Sequence, residues 1–308
     1  MNAMNRREFV KRTGLMGGAL MVSGCATSLS SAPDPIYRIS LAQWAINPSF
    51  FDGPLDNLDF APTAREHGFE AIEYVNQFFE DRANDREYLS EMNRIAEGEG
   101  VTNVLIMIDG EGRIGDPDEA ARNEAVENHF KWVEAAAHLN CHAIRVNAHG
   151  GPGSWDEQLQ IMTDAYGRIV EHGDQHDINV IIENHGGLSS DPRWLVELMQ
   201  AVDHPRAGVL PDTGGFSRGD DDAEDAEIFD PFEALEMLMP YAKGVSLKGT
   251  TRMPDGSRPE ADFERIMRIA LDSGWRGFAG IEFGRIDGIS DAHDQLEAVR
   301  ETLTSEYS

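Results

Sequence analysis

The feature that most constrains the fold is a regular alternation of short apolar runs with longer stretches of helical periodicity. The predicted strands are Tyr37–Gln43, Ala71–Val75, Asn103–Ile108, Ala143–Asn147, Asn179–Glu183, Ala207–Leu210, Gly244–Lys248 and Phe278–Glu282. The predicted helices are Leu58–His67, Arg86–Glu97, Asp116–Leu139, Trp155–His172, Pro192–Val202, Pro231–Met239, Phe263–Ser273 and Asp291–Thr304. Eight such units in roughly 270 residues predict a single (β/α)8 TIM barrel, with a doubly wound open sheet as the alternative.

The N-terminal residues are typical of an export signal rather than of a folded element. Asn5–Lys11 contains the Arg6-Arg7 pair of a twin-arginine signal, and the apolar stretch after it is too short to span a membrane as a mature helix. Val22-Ser23-Gly24-Cys25 resembles a lipobox, in which cleavage before Cys25 leaves that cysteine to carry a lipid. We therefore expect a periplasmic, lipid-anchored protein that is exported folded. A frayed N-terminal helix is the alternative.

These boundaries give a simple domain organisation. Residues 1–24 are predicted as the signal peptide, residues 25–35 as a linker rich in Ser, Ala and Pro, and residues 36–308 as the barrel. The only cysteine in the barrel is Cys141, so the sequence offers no disulfide there in spite of the oxidising compartment.

Charge limits the kinds of ligand that this chain can bind. Its 308 residues include 26 Lys and Arg against 55 Asp and Glu, which gives a formal charge of -29. A surface this acidic repels nucleic acid and anionic membranes. We expect contact with the membrane only through the lipid on Cys25. A monomer and a homodimer are both compatible with the sequence.

Polar side chains collect where the predicted strands end. In a barrel the active site lies at the carboxyl ends of the strands, so these positions are the candidate site. The segment Ile181–Gly187 (IIENHGG) shows the pattern most clearly, because an aliphatic run ends there in a carboxylate, an amide and an imidazole. The polar or aromatic residues at the strand ends are Gln43, Trp44, Glu73, Asn76, Asp109, Glu111, Arg145, Asn147, His149, Glu183, His185, Asp212, Ser246, Lys248 and Glu282.

Three carboxylates at neighbouring strand ends point to a cation. Glu183, Asp212 and Glu282 follow strands five, six and eight, where uncompensated negative charges repel one another. Oxygen ligands favour Mn²⁺ or Mg²⁺ over Zn²⁺, with His185 or water completing the shell. The alternative is that these carboxylates are solvated strand ends or partners of Lys and Arg.

Several ordered segments resemble a known family. IIENHGGLSSDPRWL, LPDTGGF, YAKGVSLKG and GWRGFAGIEF are similar to successive signature segments of the xylose isomerase-like sugar isomerase/epimerase barrels, especially an exported branch with a twin-arginine leader. The resemblance extends from Tyr37 to the C-terminus. It implies a carbohydrate substrate and a reaction that begins with removal of a proton beside a carbonyl.

The resemblance also implies roles for single residues. The family's metal ligands fall on Glu183, Asp212 and Glu282, and its acid and base fall on Glu183 and Glu282. Its fourth ligand, usually histidine, falls on Ser246, which leaves His185 or water as the replacement, or a chain without the metal.

The remaining candidate residues are expected to serve the substrate. Lys248 is expected to stabilise an enolate oxygen or to protonate a leaving group, and the alternative is an ion pair with Asp212 or Glu282. The predicted substrate contacts are His185, Arg145, Asn147, His149 and Trp44.

Three functions fit these observations. The first is an exported, metal-dependent sugar isomerase or epimerase. The second is a 3-keto-glycoside lyase, in which the same proton removal leads to β-elimination. The third is a non-catalytic sugar-binding lipoprotein, suggested by Ser246 at the position of the expected histidine.

Overall fold

The structure is a computed structural model, and its described residues are 34–218 and 226–308. The predicted signal peptide and Cys25 lie outside these residues. No helix in this part of the chain is long and apolar enough to cross a membrane.

Eight parallel strands form the barrel that the sequence predicts. The strands are β1 (Arg38–Ala42), β2 (Ala71–Val75), β3 (Thr102–Met107), β4 (Ala143–Asn147), β5 (Asn179–Glu183), β6 (Ala207–Leu210), β7 (Val245–Leu247) and β8 (Phe278–Ile281). They pair in chain order from β1 to β6, and β1 also pairs with β8, which pairs with β7. Between β6 and β7 the barrel is completed by single parallel bridges, Val209 with Ala242 and Asp212 with Ser246.

Helices surround the barrel. They are α1 (Pro48–Phe51), α2 (Phe60–Glu66), α3 (Arg86–Glu99), α4 (Glu119–His138), α5 (Trp155–Gln175), α6 (Pro192–Val202), α7 (Pro231–Leu238), α8 (Phe263–Asp272) and α9 (Ile289–Tyr307). Two small elements were not predicted: α1, and an antiparallel pair formed by Ser217–Arg218 and Glu227–Ile228. Both are too short to show a hydrophobic period.

Side-chain caps begin most of these helices. The capping oxygen accepts a hydrogen bond from a backbone N–H of the first turn, which stabilises a helix by about 1 kcal/mol. The caps of α3 to α8 are Asp85, Asp118, Ser154, Asp191, Asp230 and Asp262. Part of the acidic composition therefore serves helix initiation.

The interior of the barrel combines apolar packing with buried polar groups. Strands covered on both faces are buried along nearly their whole length, as in β2 and β5. Glu73, Arg145, Glu183 and Ser246 nevertheless lie inside, each at most 3% exposed. A buried charge needs a partner, so Glu73, Arg145 and Glu183 must form polar contacts inside the barrel.

Candidate active site at the carboxyl ends of the strands

Lys248 joins two of the predicted carboxylates. Its Nζ lies 2.8 Å from Oε1 of Glu282 and 3.3 Å from Oδ2 of Asp212. The Ser246 hydroxyl donates to the other Glu282 oxygen, Oε2, at 2.7 Å. Residues 246 and 248 therefore both face the same carboxylate, as expected for positions two apart on a strand.

The charged side chains in this group shift the pKa values of their neighbours. Burial raises the pKa of Asp212, although Lys248 offsets part of the shift. Burial alone lowers the pKa of Lys248, but the carboxylates of Asp212 and Glu282 outweigh it and raise the pKa overall. Lys248 is thus a cation in contact with the carboxylates of Asp212 and Glu282.

Glu183 has a different partner. Its carboxylate is 1% exposed, and its Oε2 lies 3.0 Å from Nε of Arg145. The contact lacks hydrogen-bond geometry, because both Glu183 oxygens and the Arg145 Nε have no hydrogen-bond partner among the described residues. Burial raises the pKa of Glu183 well above its usual value, and Arg145 reduces that shift.

Arg145 is held from its other side by polar groups of β3 and β4. Its Nη1 donates to Oδ1 of Asp109 and to Oδ1 of Asn147, both at 2.9 Å. Asn147 in turn donates from Nδ2 to Asp109 at 2.7 Å. The Nη1 group of Arg145 therefore faces protein acceptors, while its Nε lies against Glu183. A contact between Arg145 and substrate stays a prediction.

Two cavities open over these groups. The larger one has about 1130 Å³ and is lined by Asn184, His185, Asp212, Lys248, Arg252, Arg258, Glu260, Phe263, Phe283 and Gln295, among others. The smaller one has about 330 Å³ and is lined by Trp44, Gln77, Asp109, Glu111, His129, Arg145, Asn147, His149, His185 and Glu282, among others. Their size and polar lining suit a small polar ligand.

The five predicted substrate contacts all line the smaller cavity. Trp44 is 38% exposed, so its ring is not part of the core. His149 donates from Nε2 to the carbonyl of His185 at 3.2 Å, and their rings lie 5.7 Å apart. His185, which lines both cavities, therefore stands between them.

Sequence reasoning assigned no role to several residues of this region. Glu73 is 1% exposed and accepts a hydrogen bond from the Ser40 hydroxyl at 2.6 Å. A carboxylate inside the apolar run Ala71–Val75 was the available signal. Arg252, Arg258 and Glu260 reach the larger cavity from the segment between β7 and α8, where no periodicity marks them.

The donor set offers a hard divalent cation three carboxylates and a hydroxyl. The two Glu183 oxygens, buried and without hydrogen bonds, fit a cation ligand. Asp212 and Glu282 already contact the Lys248 ammonium. Among the described residues, only Glu134, His172 and His176 bring three acidic or imidazole ligand atoms within 4.8 Å of one another, so the three barrel carboxylates are not gathered that closely.

The fold and this ring of polar strand ends define a (β/α)8 barrel with a polar site at the carboxyl ends of its strands. A family model described as "Xylose isomerase-like TIM barrel" matches residues 62–304, and the chain belongs to that family. A comparison with curated protein sequences finds no match.

Solved structures show the same fold at low sequence identity. A D-tagatose 3-epimerase-like protein is 16% identical, with a TM-score of 0.69, covering 88% of this chain and 100% of that one. The 3-keto-D-glucoside 4-epimerase from E. coli is 16% identical, with a TM-score of 0.65 and coverage of 86% and 99%. A xylose isomerase-like barrel protein from Mycobacterium smegmatis, in complex with magnesium, is 15% identical, with a TM-score of 0.63 and coverage of 88% and 98%.

Proposed function

We propose that the chain is a sugar isomerase or epimerase that removes a proton beside a sugar carbonyl. The observation that carries this proposal is the Glu282–Lys248 pair, at 2.8 Å, where two polar cavities meet. A base and a fixed cation together are what proton removal beside a carbonyl requires, because the enolate that forms needs electrostatic stabilisation. Similar structures that include a 3-keto-D-glucoside 4-epimerase support it.

Four residues at the strand ends have a role in this proposal. Glu282 lines the smaller cavity and takes the proton, while Lys248 stabilises the developing enolate oxygen. Glu183 is the second acid or base, and its contact at 3.0 Å with Arg145 links it to the lining of the smaller cavity. Trp44 offers its exposed ring to a face of the sugar.

We propose that Glu183, Asp212 and Glu282 hold Mn²⁺ or Mg²⁺. When bound, such an ion polarises the carbonyl and the adjacent hydroxyl of the substrate. The magnesium complex of a protein with this fold supports the choice of metal. Arg145 keeps Glu183 in place by its contact at 3.0 Å.

A 3-keto-glycoside lyase is the second candidate function. The larger cavity, at about 1130 Å³, has room beside Lys248 for a sugar with an attached aglycone. Glu282 takes the proton from carbon two, the electron pair left behind forms the double bond to carbon one, and the glycosidic oxygen leaves with a proton from Lys248. The products are an unsaturated keto sugar and a free alcohol.

Hydrogen exchange separates these functions. The protein is incubated with Mn²⁺ in D₂O and with a panel of free ketoses and 3-keto-glucosides. Deuterium in a recovered isomer supports the epimerase, whereas release of aglycone supports the lyase. Glu183→Gln and Glu282→Gln should each slow exchange by about 10²-fold or more. Bound metal and sugar without any exchange would favour a non-catalytic sugar-binding lipoprotein.

We propose that the chain is exported by the twin-arginine route and anchored in the periplasm by a lipid on Cys25. The Arg6-Arg7 pair and the Val22–Cys25 segment support this. Cys25→Ala should move the mature chain from the membrane to the soluble periplasmic fraction. Cys141→Ala, at the buried free thiol, is the matched control and should leave the distribution unchanged. A wild-type chain that is already soluble would exclude the anchor.

A further inference from the structure

A second cluster of metal-ligand side chains lies between the outer helices α4 and α5. Glu134 is in the last part of α4, and His172 and His176 lie four residues apart at the end of α5. Their ligand atoms all lie within 4.8 Å of one another. The Glu134 Oε1 to His172 Nε2 distance is 3.8 Å, and the two imidazole centroids are 4.8 Å apart. All three residues are half-buried, so the cluster can be reached from solvent.

The orientation of His172 suits a metal ligand. Its ring stacks on Phe130, with 4.2 Å between the ring centroids, and this contact fixes the plane of the imidazole. The Nε2 atom is buried and has no hydrogen-bond partner among the described residues. A buried imidazole nitrogen without a hydrogen-bond partner is free to bind a metal ion. Such an unpartnered buried nitrogen has a cost that an ion removes.

The rest of the cluster is also held in place. Nη2 of Arg86 lies 3.5 Å from Oε2 of Glu134, which leaves Oε1 directed towards the histidines. Ligand atoms of tetrahedral zinc lie about 3.4 Å apart. The 3.8 Å between Glu134 and His172, and separations of up to 4.8 Å within the cluster, reach that spacing by side-chain rotation.

We propose that Glu134, His172 and His176 bind a transition-metal ion of the zinc class between α4 and α5. Two imidazoles with one carboxylate suit Zn²⁺, Co²⁺ or Ni²⁺ better than Mg²⁺ or Mn²⁺. This chemistry differs from the three carboxylates at the barrel mouth, and the proposal does not depend on the proposed function.

The position of the cluster indicates a structural role for the ion. His176 lies three residues before β5 begins at Asn179, at the amino ends of the strands. The candidate active site lies at the carboxyl ends, on the opposite face. An ion at this position joins two neighbouring helices and stabilises the folded barrel, and it takes no part in the conversion of substrate.

Zinc binding to the full chain tests this proposal. Equilibrium dialysis at low free Zn²⁺ should find one ion per chain that the triple variant Glu183→Gln, Asp212→Asn, Glu282→Gln retains. At free zinc a hundred times the Kd, the Tm should rise by about 5–10 °C. His172→Ala, His176→Gln and Glu134→Gln should each lose the ion and the Tm shift.

His138→Gln provides a matched control, because this histidine also ends α4 but contacts Ser90 instead of the cluster. It should bind zinc as the wild type does. Protection of His172 and His176 from carbethoxylation by Zn²⁺, read by mass spectrometry on the wild-type chain, requires no variant to fold. Unprotected histidines, or zinc that only the barrel triple variant abolishes, would overturn the proposal.

Discussion

The Lys248 ammonium lies 2.8 Å from Oε1 of Glu282 and holds the cation position between Glu282 and Asp212. A divalent metal ion at the same carboxylates must therefore compete with a charge that belongs to the chain. Two unit charges about 4 Å apart near a protein surface repel by about 4 kcal/mol. Lys248 should therefore weaken the binding of a divalent ion at these carboxylates.

Lys248→Met should tighten Mn²⁺ binding by about tenfold or more, because the repulsion is removed while all three carboxylates remain. Isothermal titration calorimetry on chelator-treated protein measures the change. Lys243→Met is the matched control, since the Lys243 Nζ donates to the Pro205 carbonyl away from the cluster. Weaker binding in Lys248→Met would mean that the lysine organises the carboxylates rather than competing for them.

Arg145→Met should destabilise the folded chain by about 3–5 kcal/mol, because it leaves Glu183 and Asp109 without their buried cation. Urea unfolding measures the loss. Adding Glu183→Gln to Arg145→Met should restore part of it, since the uncompensated carboxylate is then neutral. If the losses of unfolding free energy caused by the two substitutions simply add, the Arg145–Glu183 contact does not contribute to stability.

Strand and helix positions could be predicted because burial imposes a period on the sequence. The predicted Ala143–Asn147 and Asn179–Glu183 match β4 and β5 residue for residue. The barrel follows from the number and order of such units. The rule that polar site residues lie at the carboxyl ends of the strands also predicted that Lys248, Glu282 and Ser246 lie close together, and they are in contact.

Partners across the barrel could not be predicted in the same way. Whether Arg145 faces a ligand or Glu183 depends on the register between β4 and β5, which pairs Arg145 with Ile181. The cluster of Glu134, His172 and His176 joins two helices, and only the docking of those helices brings the ligand atoms together. Spacing within one element is visible in a sequence, whereas contacts between elements are not.

Gly280→Ala should destabilise the barrel by about 1–3 kcal/mol, the usual cost of overpacking. A Cβ atom there would lie 2.5 Å from Oε1 of the buried Glu73. A double-mutant cycle with Glu73→Ala checks the cause, because the shortened side chain should leave room for the added methyl group at little further cost. Gly98→Ala, on the helix α3 with open space around it, is the control and should not destabilise. Equal losses in both backgrounds would show that the Glu73 contact is not responsible.

Glu73 should make the stability of the barrel fall as the pH rises. Burial raises the pKa of Glu73 from 4.5 to about 7, and the Ser40 hydrogen bond offsets part of the shift. The folded chain therefore holds the proton more tightly than the unfolded chain. The stabilisation is complete below pH 4.5 and is lost as the pH rises through about 7.

Comparison with Glu73→Gln isolates this effect from all other titrating groups. Between pH 4.5 and pH 8, the wild type should lose up to about 3 kcal/mol relative to Glu73→Gln, which has no proton to release. The unfolding free energy is measured in urea with EDTA, so that no divalent ion alters the field around Glu282, which also raises the Glu73 pKa. Ser40→Ala, which removes the hydrogen bond that lowers this pKa, should move the wild-type transition to higher pH. Parallel pH profiles for the wild type and Glu73→Gln would show that Glu73 is already ionised, and that a neighbouring cation stabilises it more than its burial destabilises it.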